Sequence, residues 1–470
     1  MINRSDTIQS DLADLSIRDM SELFRAKKLS PVEVVDAAVT RITAINPKLH
    51  AFITVTAETA KAAARASEAR HMNGASLGPF DGIPFALKDN IETQGIRSTS
   101  HSKLLIDNVP AEDAHVAAKL AGAGGVLVGK TATFEFALGG PSWDLPFPPA
   151  LNPWNLKHLP GGSSSGSGAA VAARLVPAAI GTDTGGSVRW PAAVCGIAGL
   201  KPTYGRISRR GVHPNTFSLD HCGPMTRTVE DCALMLGATA GYDRHDPGSI
   251  DVPVDDYAGA LTGSVKGLRI GLVRHWYENA ATPEVTAAVD VAVGRLKELG
   301  AIVEEIRLSP LTDYIDAKTT ISLCELYAIH EKDLKARPED FGYLLRTRVI
   351  AGGLIRAEEY VQAMRWRTEL STSMLAEFRR FDLFATAGWL TAAEPADPVA
   401  PDFFKHRQIV TMPFSLAGIP ALSVPCGFSA DGLPLALQIA GRPFDEATVL
   451  RAGDAYQRAT DWHLRKPPIA

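Results

Sequence analysis

Cysteine is scarce. Five occur in 470 residues, Cys195, Cys222, Cys232, Cys324 and Cys426, with no C-x-x-C pair among them. That is too few for a disulfide framework, and the expectation is reduced, mostly buried thiols in a cytoplasmic protein. No Cys/His cluster has zinc-like spacing, so no metal is expected. Neither sign of charge is in excess: 48 Lys and Arg face 52 Asp and Glu, for a net charge of −4. Without a basic block, nothing invites nucleic acid or an anionic membrane. Repeats and low-complexity stretches are missing too. The N-terminal MINRSDTIQSDLADL carries acids where an export signal needs an apolar run. One uncharged stretch, residues 408–430, is long enough to span a bilayer, but Pro413, Pro420 and Pro425 interrupt it. A buried strand-and-turn region explains it better.

Hydrophobic residues make up 46% and charged residues 21%, which argues against disorder and allows a large core. Length alone suggests about three domains. The first 75 residues read as helices. Ser30-Pro31-Val32-Glu33 is a capping box, Asn46-Pro47 is expected to end that helix, and an alanine-rich helix follows from Ala57 to Met72. Further on, short β-like runs at 125–129, 268–273, 301–306, 382–386, 421–424 and 435–440 alternate with helical stretches. The alternation predicts an α/β architecture with a substantially parallel, buried sheet. In the helical stretch 358–379, Val361, Met364, Thr368, Ser371, Leu375 and Phe378 share one face, read as the core face.

Two short patterns fail on context. Gly124–Thr131 matches the phosphate loop G-x-x-x-x-G-K-[ST], but its central positions are themselves an apolar strand that cannot wrap a phosphate. Gly162-Ser163-Ser164-Ser165-Gly166 matches G-x-S-x-G with Ser164 central, yet NPWNLKHLPG precedes it where an elbow needs a strand. A Ser-His-Asp site built with His213, His221 or His463 is the alternative this pattern leaves open.

The residues that can carry chemistry lie in GGSSSGSGAAVAA (161–173), in GTDTGGSVRWPAAVCGIAGLKPT (181–203), and in IPFALKDNI (83–91) upstream. Serine needs a base, and lysine can be one only when neutral, which burial favours. Lys88, flanked by Phe85, Ala86 and Leu87, suits burial. A surface lysine closing a strand is the bland alternative. Thr184-Gly185-Gly186-Ser187 supplies consecutive glycines able to turn backbone N–H groups towards one point.

These segments, with KPTYGRISRRGV (201–212), GPMTRTVEDCALML (223–236) and VPCGF…DGLPLALQIAGRPFDEATVLRAGDAY (424–456), resemble the amidase signature enzymes over most of the chain. The resemblance implies a single α/β/α domain around a large mixed, mostly parallel sheet, residues 76–470, with 1–75 packed on it. It also implies a Ser-Ser-Lys triad that needs no cofactor. By position, Ser187 resembles the nucleophile, Ser163 the bridging serine after a cis peptide from Gly162, and Lys88 the base. The backbone N–H groups of Thr184, Gly185, Gly186 and Ser187 would form the oxyanion hole. Asp183 and Arg189 would order the loop, and Ser164 and Ser165 would lend hydrogen-bonding support.

The implied activity is hydrolysis of a carboxamide, ureido or carbamate C–N bond in a small molecule. A homodimer is compatible with it; nucleic acid and membrane are not expected. Two departures bear on substrate. The bridging-serine cluster reads SSSGSG, and Gly388-Trp389 stand where members carry a threonine-proline-rich segment. Trp143, Phe147 and Trp154, in a long proline-rich loop, are expected either to form an aromatic wall of the pocket or to pack against the body of the protein, and Trp389 is a further expected pocket residue. The main alternative is the glutaminase component of a tRNA-dependent amidotransferase. It requires polar anchors for glutamine in the 310–430 region, where ISLCELYAIHEKDLKARPEDF and YVQAMRWR occupy the place of the familiar asparagine- and alanine-rich stretch. A catalytically silent binding protein on the same scaffold is the alternative of another class.

Overall fold

Helix starts follow the caps written in the sequence. Ser30 caps the helix Pro31–Leu49: its N–H donates to Glu33 at 2.8 Å and its hydroxyl accepts from the Val32 N–H at 3.0 Å. The helix does not stop at Asn46-Pro47. A proline near a helix end forfeits only one internal bond. The final turn is held instead by the His50 N–H on the Asn46 carbonyl at 2.8 Å and by the Asn46 side chain on the backbone of Phe52.

The structure, a computed structural model, describes residues 12–138, 140–396 and 409–469. Its helices are α1 (Ile17–Arg25), α2 (Pro31–Leu49), α3 (Ala57–Met72), α4 (His115–Gly122), α5 (Ser165–Ala172), α6 (Arg189–Cys195) and α7 (Val229–Thr239). They continue as α8 (Pro283–Glu298), α9 (Leu311–Ala336), α10 (Tyr343–Gly352), α11 (Ala357–Ala376), α12 (Met412–Leu416) and α13 (Glu446–Arg458). The strands are β1 (Phe52–Val55), β2 (Pro84–Lys88), β3 (Val126–Thr131), β4 (Ala178–Asp183), β5 (Ala198–Lys201) and β6 (His221–Thr226). The remaining five are β7 (Arg269–Leu272), β8 (Ile302–Glu305), β9 (Leu383–Ala387), β10 (Ala421–Phe428) and β11 (Pro434–Gly441).

All eleven join one sheet in the order β1-β3-β2-β4-β6-β5-β10-β11-β9-β7-β8, the large mixed sheet of a single α/β domain. The sheet is less parallel than the sequence suggests. Parallel ladders join β2 to β3 and β4, and β7 to β8 and β9, while the other six pairings are antiparallel. The antiparallel centre escapes detection because β4, β6, β10 and β11 are buried almost end to end. That removes the apolar-polar alternation by which antiparallel strands are usually recognised.

One main core runs through the sheet and takes in Ile17, Met20 and Phe24 of α1 and Val34 of α2. On α11 the buried face is Ala363, Leu370 and Met374, continued by Phe378, whereas Val361 is 53% exposed. The expected stripe is rotated because it admits Thr368 and Ser371 and passes over the small Ala363. The uncharged 408–430 stretch forms, in its described part, the short α12 and strand β10. No described helix is long and apolar enough to cross a membrane.

Candidate active site

Lys88 ends β2 and Asp183 ends β4. The two strands are parallel neighbours, with Leu87 opposite Ile180, so both ends emerge at the same side of the sheet. Open α/β sheets place ligand sites beyond such carboxyl ends. Lys88 has no exposed surface. Its Nζ donates to Ser163 Oγ at 2.8 Å and to Thr182 Oγ1 at 2.7 Å. Burial pushes its pKa from 10.5 down to about 7, against the opposing pull of Asp220 and Asp183. The Lys88 amine is therefore substantially neutral near pH 7, and the surface-lysine reading does not hold.

Ser163 follows a cis peptide bond from Gly162. A Cβ on Gly162 would lie 2.1 Å from the Phe134 ring, so only glycine fits there. Ser164 points away from the site: its Oγ donates to the Thr182 carbonyl at 3.1 Å and accepts from the Thr182 N–H at 3.2 Å. Ser165, the first residue of α5, reaches the Ala132 carbonyl at 3.4 Å. Both serines tie α5 to neighbouring strands.

Residues 184–187 form a turn braced from behind. The Asp183 carboxylate receives the Gly186 N–H at 2.8 Å, the Val188 N–H at 3.1 Å and both arms of the buried Arg189 guanidinium at 3.0 and 2.9 Å. Burial opposes the charge on Asp183, but the Arg189 charge and hydrogen bonds win and hold its pKa well below the carboxylate range. Arg189 also donates to the Thr411 carbonyl at 2.8 Å, Gln438 Oε1 at 2.7 Å and Ser415 Oγ at 2.7 Å. Because the Gly186 N–H is spent on Asp183, it drops out of the expected oxyanion donors. The Thr184, Gly185 and Ser187 N–H groups have no acceptor among the described backbone groups.

Ser163, Ser187 and the turn open on a cavity of about 570 Å³. Ser187 is partly exposed to it, and among the described residues its hydroxyl makes no hydrogen bond. Catalytic hydrogen bonds often form only once substrate is bound. Of the expected aromatics, Trp389 lines the cavity, stacked on Trp190 at 4.6 Å between ring centres. The other three lie elsewhere. Trp143 is 45% exposed, Phe147 packs edge-on against His101 at 5.6 Å, and Trp154 packs on Phe428 while its Nε1 donates to the Cys195 carbonyl at 2.8 Å.

The two other patterns resolve as structure. Lys130 of the phosphate-loop match is buried in β3 and donates to the Ile91 carbonyl and Ser98 Oγ, both at 2.5 Å. His221 faces the Asp183 carbonyl at 3.1 Å, and His213 packs at a tilt on Phe136 and stacks on His330, so neither is bonded to Ser164. No described group of His, Cys, Asp and Glu side chains could hold a metal.

Several site residues escaped sequence reasoning. Thr182, one position before Asp183, accepts from Lys88; strand register with β2 was the signal available. Asp220, which accepts from Thr184 Oγ1 at 2.6 Å, and Lys318 and Arg348 in the cavity wall carry no sequence signal. Nothing in the sequence places them near the serines.

The Amidase family model matches residues 33–450. The chain is 43% identical to a glutamyl-tRNA(Gln) amidotransferase component of Roseiflexus sp. (strain RS-1), covering 97% of this chain and 99% of that one. The solved 6-aminohexanoate cyclic dimer hydrolase superposes with a TM-score of 0.88 at 29% identity, over 97% of this chain and 99% of that one. The corresponding glutamyl-tRNA(Gln) amidotransferase component of Thermotoga maritima gives 0.82 at 31% identity, over 98% of each.

Proposed function

Since the chain belongs to the Amidase family of amidohydrolases, we propose that it cleaves a carboxamide C–N bond through Ser187, with Ser163 and Lys88 moving the proton. The observation that carries this reading is the 2.8 Å contact between Ser163 and a buried lysine held at about 7. Neutral Lys88 takes the Ser163 proton while Ser163 takes that of Ser187, which attacks the amide carbonyl. The N–H groups of Thr184, Gly185 and Ser187 receive the developing oxyanion. The relay then returns a proton to the departing amine, and water releases the acyl group by the same route. Ammonia or amine release from a panel of amides, anilides, carbamates and glutamine, with Ser187→Ala as the blank, tests it. Release that survives Ser187→Ala would refute it.

A second reading narrows the substrate to glutamine, with the chain serving as the glutaminase component of a glutamyl-tRNA(Gln) amidotransferase. The 43% identity to the Roseiflexus protein over nearly the full length of both chains supports it better than it supports the stand-alone amidase expected from sequence. So does the cavity wall, where Asp316, Lys318 and Arg348 supply polar groups from the 310–430 region that the sequence pattern did not reveal. This reading adds a glutamyl-tRNA and at least one further protein chain to the partners, where composition points to neither. A kcat/KM for glutamine far above that for simple amides would select it.

A further inference from the structure

Asp220 is a buried carboxylate outside the proposed proton relay. It lies just before β6, whose first residue, His221, is paired with Asp183, so it comes to the start of the 184–187 turn. Its Oδ1 accepts from Thr184 Oγ1 at 2.6 Å, and its Oδ2 accepts from the N–H groups of Asn215 and Thr216 at 2.9 and 3.0 Å. All three donors are neutral. Among the described residues no ion pair reaches Asp220, whereas Asp183, which braces the same turn, is paired with Arg189. A carboxylate that is 6% exposed and has no bonded counter-charge is costly to keep.

Two features of the site give that charge a use. Thr184 is anchored by its side chain to Asp220 while its N–H stays free of backbone acceptors. The Lys88 amine feels the pull of Asp220 more strongly than that of any other acid, Asp183 coming next. Asp183 is already matched by Arg189, and burial pushes the Cys222 thiol on β6 up to about 12, so it stays neutral. Lys318 on α9 and Arg209 are the other cations whose charge reaches Asp220. On the amidohydrolase reading above, we propose that Asp220 is a positioning residue. Through Thr184 it holds the oxyanion turn in place, and its charge stabilises the ammonium that Lys88 becomes on taking the serine proton.

The test is the rate at which ethyl p-nitrophenyl methylphosphonate labels Ser187, followed by mass spectrometry of the full-length protein from about pH 5 to 9. Ser187 Oγ bonds to phosphorus, p-nitrophenolate leaves with the electron pair of the broken P–O bond, and the serine proton passes through Ser163 to Lys88. The leaving group needs no proton, so the acid limb reads Lys88 and the plateau reads the turn and its counter-charge. Wild type should show a limb near 7. In Asp220→Asn the ammonium loses an opposite charge, so Lys88 becomes neutral at lower pH. The limb should move down by about one pH unit and the plateau should fall by about 10- to 100-fold. Thr184→Val keeps the charge and removes the hydroxyl. Its plateau should fall by a similar factor with the limb still near 7, and Thr184→Ser should restore most of the rate. A limb unmoved or raised in Asp220→Asn would overturn the proposal. So would a Thr184→Val plateau equal to that of wild type, which decides the matter even if Asp220→Asn does not fold. If wild type stayed unlabelled on Ser187 at every pH, the amidohydrolase reading itself would fall.

Discussion

Replacing Lys88 with methionine is expected to abolish turnover and, at neutral pH, to stabilise the fold. Methionine keeps the length of the side chain without its charge, so the buried slot stays filled. In the native state burial holds the Lys88 ammonium at about 7 instead of 10.5, and the unfolded chain keeps the ordinary value. The difference corresponds to about 5 kcal/mol of native-state cost, fully present below pH ~7 and lost as pH rises to ~10.5. Across that window the unfolded chain binds more protons, so this lysine makes wild-type stability rise with pH. Methionine removes the cost but also the bonds to Ser163 and Thr182, worth about 1 kcal/mol each. The net gain should be roughly 3 kcal/mol at pH 6.5 and near or just below zero at pH 9.5, where about 1 kcal/mol of the cost survives. Urea unfolding of both proteins, followed by tryptophan fluorescence at the two pH values, measures the difference while other titrating groups cancel. A variant less stable than wild type at pH 6.5, or a difference that ignores pH, would show that Lys88 is not held neutral by burial. In wild type the same lysine should make kcat/KM climb with pH through a limb near 7.

A serine-directed phosphonate should label Ser187, and an adduct on Ser164 by mass spectrometry would revive the elbow reading. Arg189→Met leaves Asp183 buried without its counter-charge and should cost about 3–5 kcal/mol in denaturant unfolding, since breaking a buried pair strands the remaining charge. Gly186→Ala should cut kcat by orders of magnitude. Its φ is +139° and a Cβ there would meet Thr411 Oγ1 at 2.2 Å, so the turn beneath Ser187 must shift; unchanged kcat would show that the turn tolerates displacement.

The proposed chemistry was legible because it is local in sequence. Lys88, Ser163 and Ser187 each sit in a short segment whose neighbours announce them: an apolar strand, a serine-glycine cluster, a double glycine. The strands read from apolar runs also formed, each starting close to its expected first residue. The misses have a common cause. Local pattern does not say what lies on the other side of a residue. It carried the helix stop to Pro47, turned the α11 stripe onto Val361 and offered Trp143, Phe147 and Trp154 as a pocket wall, although of the four expected aromatics Trp389 alone lines the cavity.

By itself, then, the amino-acid order settled the family resemblance, the α/β class and the choice of candidate reacting side chains, because each depends on residue types within a few positions of one another. The tertiary structure decided the rest. Parallel pairing of β2 with β4 brings Lys88 beside Ser163 and Thr182, and enclosure by the core lowers its pKa. The Asp183 carboxylate takes up the Gly186 N–H and so withdraws it from the proposed oxyanion donors. Helices far downstream of Ser187, α9 and α10, set Lys318 and Arg348 in the cavity wall. Burial and through-space charge depend on what surrounds a side chain, and that neighbourhood exists only once distant segments have packed together.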